Sequence, residues 1–231
     1  MVFGAVNSVS SVFGLSIPAK KKSGPGTSVA LYARYQATNY NTTTNVWTDS
    51  GDNAYTLPSS QITNTGLSLV SGTGNGASNA FITLQGTTSS KVQITTAQIP
   101  QYTLFHVTRY TGGTKGRIFT GSTNNWLSGF WSGSSGVAHY DSWVTPSSNA
   151  AFGNNWLIST SSNNNIYRGN GVSYANGTGS INYMPPITIN YSEASDFQLA
   201  DVLIYNSYLS LADIKIVEAF LADLYGITIT R

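Results

Sequence analysis

The stretch Asp196–Ile227, DFQLADVLIYNSYLSLADIKIVEAFLADLYGI, decides the fold of this chain. Its first part, Phe197–Tyr205, alternates strongly and weakly apolar residues, which predicts a strand with at least one buried face. Ser210 followed by Asp213 is a capping-box-like helix start, because both side chains can bond amides that the first turn leaves unpaired. Gly226 suits the left-handed residue that commonly ends a helix. The apolar residues between these ends recur at helical spacing on one face: Ile214, Val217, Leu221, Leu224 and Tyr225.

The rest of the body shows almost no helical periodicity. Its 231 residues include only 9% charged side chains, and Gly, Ser, Thr and Asn are abundant, which suits many short strands joined by tight turns in one all-β domain. Two packed antiparallel sheets would hide the apolar strand faces against each other. The candidate strands are Val29–Tyr35, Leu67–Val70, Ala80–Gln85, Lys91–Thr95, Tyr102–Tyr110, Lys115–Thr120, Trp126–Trp131, Val137–Val144, Trp156–Thr160, Asn165–Arg168, Ile187–Asn190 and Phe197–Tyr205.

Three stretches carry a resemblance to a known superfamily. Ala200–Ile227, with its YN corner and terminal YG, resembles the C-terminal signature of concanavalin A-like lectins and glucanases, in the LamG-like jelly-roll branch. Val46–Asn53 (VWTDSGDN) resembles a W-x-D-x-SG-N corner of the same group. Further matching stretches lie within Tyr102–Trp143: LFHVTRY, GRIFTG, NWLSGFW and GVAHYDSW. The resemblance implies a two-sheet antiparallel jelly-roll sandwich over residues 27–231, with one short C-terminal helix. It assigns no function, because this group contains glycan binders, enzymes and structural modules.

Residues 1–26 form a separate N-terminal arm. On a helical wheel, one narrow face carries the apolar residues Val2, Val6, Val9, Phe13 and Ile17. A basic, Gly- and Pro-rich tether follows, with Lys20, Lys21 and Lys22. One hypothesis is that residues 1–22 dock on a partner protein or on a membrane surface, with the lysines near acidic groups. The alternative is a plain disordered tail.

Charge and composition exclude several classes of function. The net charge is +2, but three of the eleven basic residues are the tether lysines, so eight basic residues face nine acidic ones elsewhere. We therefore expect no nucleic-acid partner. The chain has no cysteine, which excludes disulfides and thiolate zinc sites. We expect neither a secretory signal nor a transmembrane segment, because no basic region precedes the first apolar residues and no apolar run approaches about 20 residues.

The acidic residues lack the pattern of a glycosidase. Such enzymes place two carboxylates on either side of a sugar bond. The enzymes of the resembled group commonly carry Glu-x-Asp-x-Glu on one strand, where alternation puts all three acids on one face. This chain has two glutamates: Glu218 in the terminal helix, and Glu193 at an odd offset from Asp196, which would separate the two on a strand. We therefore predict that the chain is not an enzyme.

A candidate carbohydrate-binding stripe lies in the Trp-rich middle of the chain. His139, Asp141 and Trp143 are spaced by two, so on a continuous strand they would share one face. Together with Trp131 they could bind a sugar, with indole stacking on its apolar face and imidazole and carboxylate bonding its hydroxyls. A hydrolytic site that pairs His139 with Asp141 would also need a nucleophilic serine, and the sequence shows no nucleophile elbow that could supply it. The interpretation that we favour is internal packing of this face, because Trp in an all-β chain is usually core.

Oxygen ligands for Ca²⁺ occur together in the VWTDSGDN loop, at Asp49, Asp52 and Asn53. Asp and Asn also stabilise turns by bonding nearby backbone amides, and we favour that role. We predict no metal and no cofactor.

Arg109 and Arg117 lie within the resembling segments. Their planar guanidinium groups could hold a carboxylate or a sugar. In a chain with so few charges we expect each to pair with an acid and to fix strand register.

The FHVTRY and NWLSGFW stretches are similar to proteins of large DNA viruses and of their algal or microbial hosts. With the N-terminal arm, this similarity implies a minor capsid or capsid-associated protein on a virion or particle surface. Its partners would be capsid proteins, or an inner membrane contacted by the arm. The alternative function is a lectin-like domain that binds a surface glycan. A glycoside hydrolase or lyase is a second alternative, which the missing carboxylate pair disfavours.

Overall fold

The structure is a computed structural model that describes residues 25–162 and 164–231. The predicted N-terminal arm, from Val2 to Lys22, lies outside the described residues, and the predicted domain boundary at residue 26 stays a prediction. No helix in the described residues is both long and apolar enough to cross a membrane.

The described chain is built of short strands with one α-helix near its end. Each predicted strand overlaps an observed one, and Trp126–Trp131 and Phe197–Tyr205 have the predicted bounds. The strands are β1 (Ala33–Gln36), β2 (Tyr40–Asn41), β3 (Val46–Trp47), β4 (Ile62–Thr63), β5 (Ser68–Ser71), β6 (Ile82–Gly86), β7 (Lys91–Gln93), β8 (Thr103–Tyr110), β9 (Phe119–Gly121), β10 (Trp126–Trp131), β11 (Ser134–Tyr140), β12 (Leu157–Ser162), β13 (Ile166–Gly169), β14 (Val172–Ser173), β15 (Ile187–Ile189) and β16 (Phe197–Tyr205). The helix is α1 (Leu211–Tyr225), and the 3₁₀ turns are Ala37–Asn39 and Ser59–Gln61.

The strands form two antiparallel sheets that pack face to face. The large sheet has the order β14-β13-β12-β8-β16-β6-β5, with β1 also paired to β16, and the small sheet has the order β11-β10-β9-β15-β7-β4. The ribbon β2-β3 stands apart. One buried cluster contains residues of both sheets, such as Leu104 and Val202 from the large sheet and Phe119 and Ile187 from the small one. The predicted all-β, two-sheet antiparallel jelly-roll sandwich with a C-terminal helix is confirmed.

Strand β16 lies in the middle of the large sheet and contains a β-bulge. Leu199 pairs with Thr108 and Asp201 pairs with Val107, so Ala200 is an extra residue against β8. Leu199 belongs to the core between the sheets, whereas Ala200 belongs to the cluster under the helix. The bulge therefore lets Ala200 and Asp201 face the same side, and it shifts the alternation of every later residue of the strand.

Helix α1 covers the outer face of the large sheet and has the ends that the sequence predicts. Ser210 Oγ accepts a hydrogen bond from the amide of Asp213 at 3.1 Å, and Gly226 has φ 65°. The buried side chains of the helix include Ile214, Val217, Leu221 and Tyr225. The assignment of Leu224 to the buried face is wrong: it is 41% exposed, because it lies at the border of the face that meets the sheet.

A buried ion pair attaches the helix to the centre of the sheet. Arg34 Nη2 of β1 lies 2.6 Å from Asp201 Oδ2 of β16, with side chains 3% and 0% exposed. The hydroxyl of Tyr225 donates to the same oxygen at 2.9 Å, and the Arg34 guanidinium lies 5.1 Å from the Phe220 ring centroid. Burial raises the pKa of Asp201, and the nearby Arg34 charge acts in the opposite direction. Two strands and the helix therefore share one desolvated charge cluster.

A second buried pair attaches the helix further along the same sheet. Arg168 Nε of β13 donates to Glu218 Oε1 at 2.8 Å, and the Thr160 hydroxyl of β12 donates to the same oxygen at 2.9 Å. The Glu218 side chain is 1% exposed. Breaking either buried pair leaves a charge without its partner in a low-dielectric site, which is strongly destabilising.

The core between the sheets also contains a polar network around His106. Its Nδ1 lies 2.6 Å from Thr108 Oγ1 and its Nε2 lies 3.1 Å from Ser128 Oγ, while the ring stacks on Phe119 with centroids 4.2 Å apart. Ser128 Oγ lies 2.5 Å from Ser161 Oγ, so the network links both sheets. Burial lowers the pKa of His106 to about 3.

Replacing Asp201 by Asn should destabilise the fold far more than replacing an exposed partner of an ion pair. We expect Asp201→Asn to lower the free energy of unfolding by about 3–5 kcal/mol, because Arg34 stays buried without its counter-charge. The matched control is Asp223→Asn, whose pair with Arg231 has side chains 71% and 67% exposed; it should cost no more than about 1 kcal/mol. Urea unfolding measures both, and equal losses would contradict the anchoring role of Asp201.

His106 should make the fold sensitive to acid. Above about pH 6.5 the ring is neutral in the folded and the unfolded chain. Between pH 6.5 and about 3 the unfolded chain binds a proton that the folded chain does not, so stability falls as the pH falls. The loss approaches a tenfold change in the folding equilibrium constant for each pH unit.

The variant His106→Gln removes this titration while keeping a hydrogen-bonding side chain. Its free energy of unfolding should fall less between pH 8 and pH 5 than that of the unmodified chain. The pH 8 values provide the reference, because His106 is neutral there in both states. A variant with the full acid-dependent loss would show that other groups control it.

Candidate functional site

The tryptophans divide into a buried set of three and a partly exposed pair. Trp47, Trp126 and Trp156 are at most 1% exposed and belong to the core. Trp131 and Trp143 are half-buried at the surface, with ring centroids 5.1 Å apart in an edge-to-face arrangement. The expectation that this face packs internally therefore holds only in part, because Trp131 is the last residue of β10 and Trp143 lies past the end of β11, and both keep some solvent exposure.

The chain brings the two rings together with two turns. Strand β10 ends at Trp131, and Ser132 and Gly133 follow with φ 47° and 84°, the left-handed pair of a two-residue hairpin turn into β11. Strand β11 then ends at Tyr140, and the chain turns back at Asp141, whose φ is 60°.

The return of the chain places Trp143 beside His139. These residues form an antiparallel bridge, and their rings lie 4.8 Å apart, edge to face. The predicted strand Val137–Val144 is therefore wrong beyond Tyr140. Trp143 meets His139 by pairing across a turn and not by strand alternation, while Asp141 lies at the turn itself.

Polar side chains hold the aromatic rings in place. Trp131 Nε1 donates to Glu193 Oε2 at 2.9 Å, and Arg117 Nε donates to the same oxygen at 3.1 Å. Arg117 Nη1 also donates to Asn125 Oδ1 at 2.8 Å. One guanidinium therefore links the Trp131 side of the site to the Asn125 side.

Asn125 links the remaining members through its backbone. Its carbonyl lies 2.7 Å from His139 Nδ1 and accepts from the Asp141 amide at 3.0 Å, and its own amide donates to Asp141 Oδ1 at 3.2 Å. A carbonyl only accepts, so His139 Nδ1 carries a proton in this contact. We call the set Arg117, Asn125, Trp131, His139, Asp141, Trp143 and Glu193 the tryptophan patch.

Sequence reasoning proposed only part of the patch. The expected pairing of Arg117 with an acid is confirmed, since Glu193 is its partner. Glu193 was considered only as a catalytic carboxylate, and its distance in sequence from Trp131 hides the contact. Asn125 was missed, because its role depends on backbone groups that no side-chain pattern reveals. Glu193 has φ 48°, a conformation that non-glycine residues rarely adopt.

Arg109 differs from its prediction. Its Nε donates to Gln198 Oε1 at 2.7 Å, not to a carboxylate, and its guanidinium lies 5.5 Å from the Trp156 ring centroid. The strand register places Gln198 directly opposite Arg109, which accounts for the neutral partner.

The VWTDSGDN loop uses its oxygens internally. Asp49 accepts hydrogen bonds from the amides of Arg34 at 2.7 Å, Gly51 at 2.5 Å and Tyr55 at 2.8 Å, and Asp52 accepts from the Leu31 amide at 3.2 Å. The bonds of Asp49 to the nearby Gly51 and Tyr55 amides match the predicted turn role, whereas Asp52 bonds an amide that is distant in sequence. Among the described residues, no group of three or more His, Cys, Asp or Glu is placed to hold a metal ion.

The fold and the patch describe a class of protein: an all-β sandwich with a partly exposed aromatic surface whose side chains are hydrogen-bonded. No protein-family model matches the chain, and no curated protein matches it either. Among solved structures, it is similar to the binding domain of botulinum neurotoxin serotype G, with a TM-score of 0.47 and 9% identity over 84% of this chain and 51% of that one.

A second similar structure is a mutant of Trypanosoma rangeli sialidase displaying trans-sialidase activity. The TM-score is 0.45 and the identity 11%, over 86% of this chain and 34% of that one. The chain thus spans about half or less of the length of these two structures. At this level of identity and overlap, the similarities imply no shared function.

Proposed function

We propose that this chain is a non-enzymatic recognition module that binds glycan through the tryptophan patch. The observation that carries the proposal is the pair Trp131 and Trp143, which lie edge to face at 5.1 Å on the surface while the other three tryptophans are buried. Aromatic side chains that stay partly exposed on a surface are enriched at binding sites.

The polar members of the patch supply the hydrogen bonding that a sugar requires. The indole faces suit the apolar face of a pyranose ring, while Arg117 donates and Glu193 and Asp141 accept hydrogen bonds from hydroxyls. Because these side chains already bond to one another, little side-chain freedom is lost when a ligand binds.

The surroundings of the two glutamates support binding without hydrolysis. Glu218 is 1% exposed under the helix and paired with Arg168. Glu193 is bonded by Arg117 and by Trp131, so its charge is already compensated. A glycosidase needs one carboxyl group as a proton donor and a second as nucleophile or base. Neither glutamate has surroundings that suit the proton donor.

A role in a particle is the more specific form of this proposal. In it, the sandwich is a minor capsid or capsid-associated protein of the kind found in large DNA viruses, and residues 1–22 anchor it to neighbouring capsid proteins or to an inner membrane. The apolar face and the lysines of the arm support this role. The described chain begins beside helix α1, where the Ser28 hydroxyl donates to Asp213 Oδ2 at 2.7 Å, so the arm would leave the sandwich at that helix.

Glycan binding should depend on the exposed tryptophans. We expect Trp131→Ala and Trp143→Ala each to weaken binding on a glycan array, and to the best ligand in solution, by tenfold or more, because each removes a central aromatic contact. The control is Tyr191→Ala, an aromatic residue outside the patch that is 48% exposed. An array with no ligand above background, or equal binding by all variants, would refute the glycan role.

The particle role is tested by removing the arm. A chain lacking residues 1–24 should keep its thermal unfolding midpoint, because the described sandwich buries its own core, and should lose incorporation into particles. A second variant, with Phe13 and Ile17 replaced by Ser, keeps the full length of the arm and tests whether its apolar residues are required. Normal incorporation of both would exclude anchoring by the arm.

A further inference from the structure

A concave site separate from the tryptophan patch opens between residues of the two sheets. It is a cleft of about 260 Å³. Its floor includes buried Ala33 and Ile204 from the large sheet and Ile94, which follows the last residue of β7 in the small sheet. Its walls carry Tyr32 and Tyr55, and we call it the tyrosine cleft. The cleft shares no lining residue with the tryptophan patch.

The two tyrosines present one continuous aromatic surface. Their ring centroids lie 4.7 Å apart with an angle of 34° between the planes. Tyr55 is 46% exposed and Tyr32 is half-buried. Burial, a side-chain hydrogen bond to Tyr55 and the charge that Tyr55 would carry all raise the pKa of Tyr32. Tyr55 is the more exposed of the two rings and is therefore the one that a ligand can reach.

The backbone around Tyr55 is fixed on both sides. Its amide donates to Asp49 Oδ2 at 2.8 Å, and its carbonyl accepts from the hydroxyl of Tyr35 at 2.7 Å. Ala54, directly before it, has φ 55°, a conformation that persists only where surrounding contacts hold it and that is common at ligand sites. The aromatic surface is thus positioned before any ligand arrives, which reduces the entropy cost of binding.

The lining of the cleft is uncharged, and its rim carries unused hydrogen-bonding groups. None of its lining residues is Asp, Glu, Lys, Arg or His. At the rim, the Gln61 side chain is bound to the Gln93 carbonyl at 3.0 Å. Thr96 and Gln98 are exposed, and within the described residues their side chains make no hydrogen bond. An amide and a hydroxyl each provide both donors and acceptors, as sugar hydroxyls do.

The cleft continues on the other side of Tyr32. A neighbouring depression of about 370 Å³ shares Tyr32, Gln98 and Ile99 with it and extends to Gln101 and Asn206. Its lining is also uncharged. A ligand longer than one ring therefore has a polar path out of the cleft.

We propose that the tyrosine cleft binds a neutral sugar residue, with the apolar ring face on Tyr55 and the hydroxyls bonded to Thr96 and Gln98. The volume is below the roughly 300–1,000 Å³ of a site for a drug-sized ligand, so one sugar ring occupies the cleft and any further residues follow the depression. A carboxylate-bearing sugar is excluded, because it would lose water without a cation to pair with it. This site is independent of the function proposed for the tryptophan patch.

The test is an NMR titration of the full chain with galactose, glucose, mannose, N-acetylglucosamine and sialic acid. We expect saturable shifts of the resonances of Tyr55, Thr96 and Gln98 with at least one neutral sugar and none of these shifts with sialic acid. Tyr55→Ala should weaken that binding at least tenfold, because it removes the stacking surface and leaves the bonded backbone in place. Gln98→Ala should weaken it by a smaller factor. Tyr191→Ala, which removes an equally exposed ring elsewhere, should leave it unchanged.

Three results would overturn the proposal. The first is the absence of saturable shifts with every neutral sugar. The second is preferential binding of sialic acid at the cleft, seen as shifts of Tyr55, Thr96 and Gln98. The third is binding that Trp143→Ala abolishes and Tyr55→Ala preserves, which would place the sugar on the tryptophan patch. Cleft binding without any glycan binding by the patch would retain this site and refute the proposed function instead.

Discussion

Three elements meet at the carboxylate of Asp201. Strand β1 supplies Arg34, helix α1 supplies Tyr225, and β16 carries the carboxylate itself. Because this group has no solvent exposure, its charge must be matched inside the protein. The bulge at Ala200 makes the match possible: without it, Asp201 would follow Leu199 into the core between the sheets, and the later residues of β16 would exchange faces.

The position of the helix determines which surfaces remain available for binding. The helix and its buried pairs occupy the outer face of the large sheet, so both candidate sites lie elsewhere, one at a corner of the small sheet and one at the mouth between the sheets. Strand β11 is the edge of the small sheet, and an open edge invites unwanted pairing. The chain covers it by turning at Asp141 and bonding Val144 to the Ala138 carbonyl at 3.0 Å. The same turn brings Trp143 to Trp131. One turn therefore both covers the edge strand and forms the tryptophan patch.

The sequence was informative where structure is local and periodic. The limits of β16, the cap at Ser210 and the left-handed Gly226 follow from alternation, capping chemistry and backbone sterics, and all three are as predicted. Strands β2, β3, β4 and β14 have two residues each and were not predicted, because such lengths carry no alternation signal. The patch was predicted only in part, since the turn at Asp141 has a left-handed φ that Asp tolerates but does not require.

Because the chain has few charged residues, each of its acidic side chains can be assigned a contact. Asp201 and Glu218 anchor the helix, Asp213 accepts hydrogen bonds from the Ser210 and Ser28 hydroxyls at the start of the helix, and Asp49 and Asp52 organise one loop. Asp196 accepts the Thr114 amide, and Asp223 pairs with Arg231 at the surface. Only Asp141 and Glu193 bond to residues of the tryptophan patch, and both have a positive φ. Asp tolerates this conformation, whereas Glu193 keeps a backbone conformation that non-glycine residues rarely adopt, beside the two partly exposed tryptophans. Conformations of this kind persist where surrounding contacts hold them, and at Glu193 those contacts are the hydrogen bonds from Trp131 and Arg117.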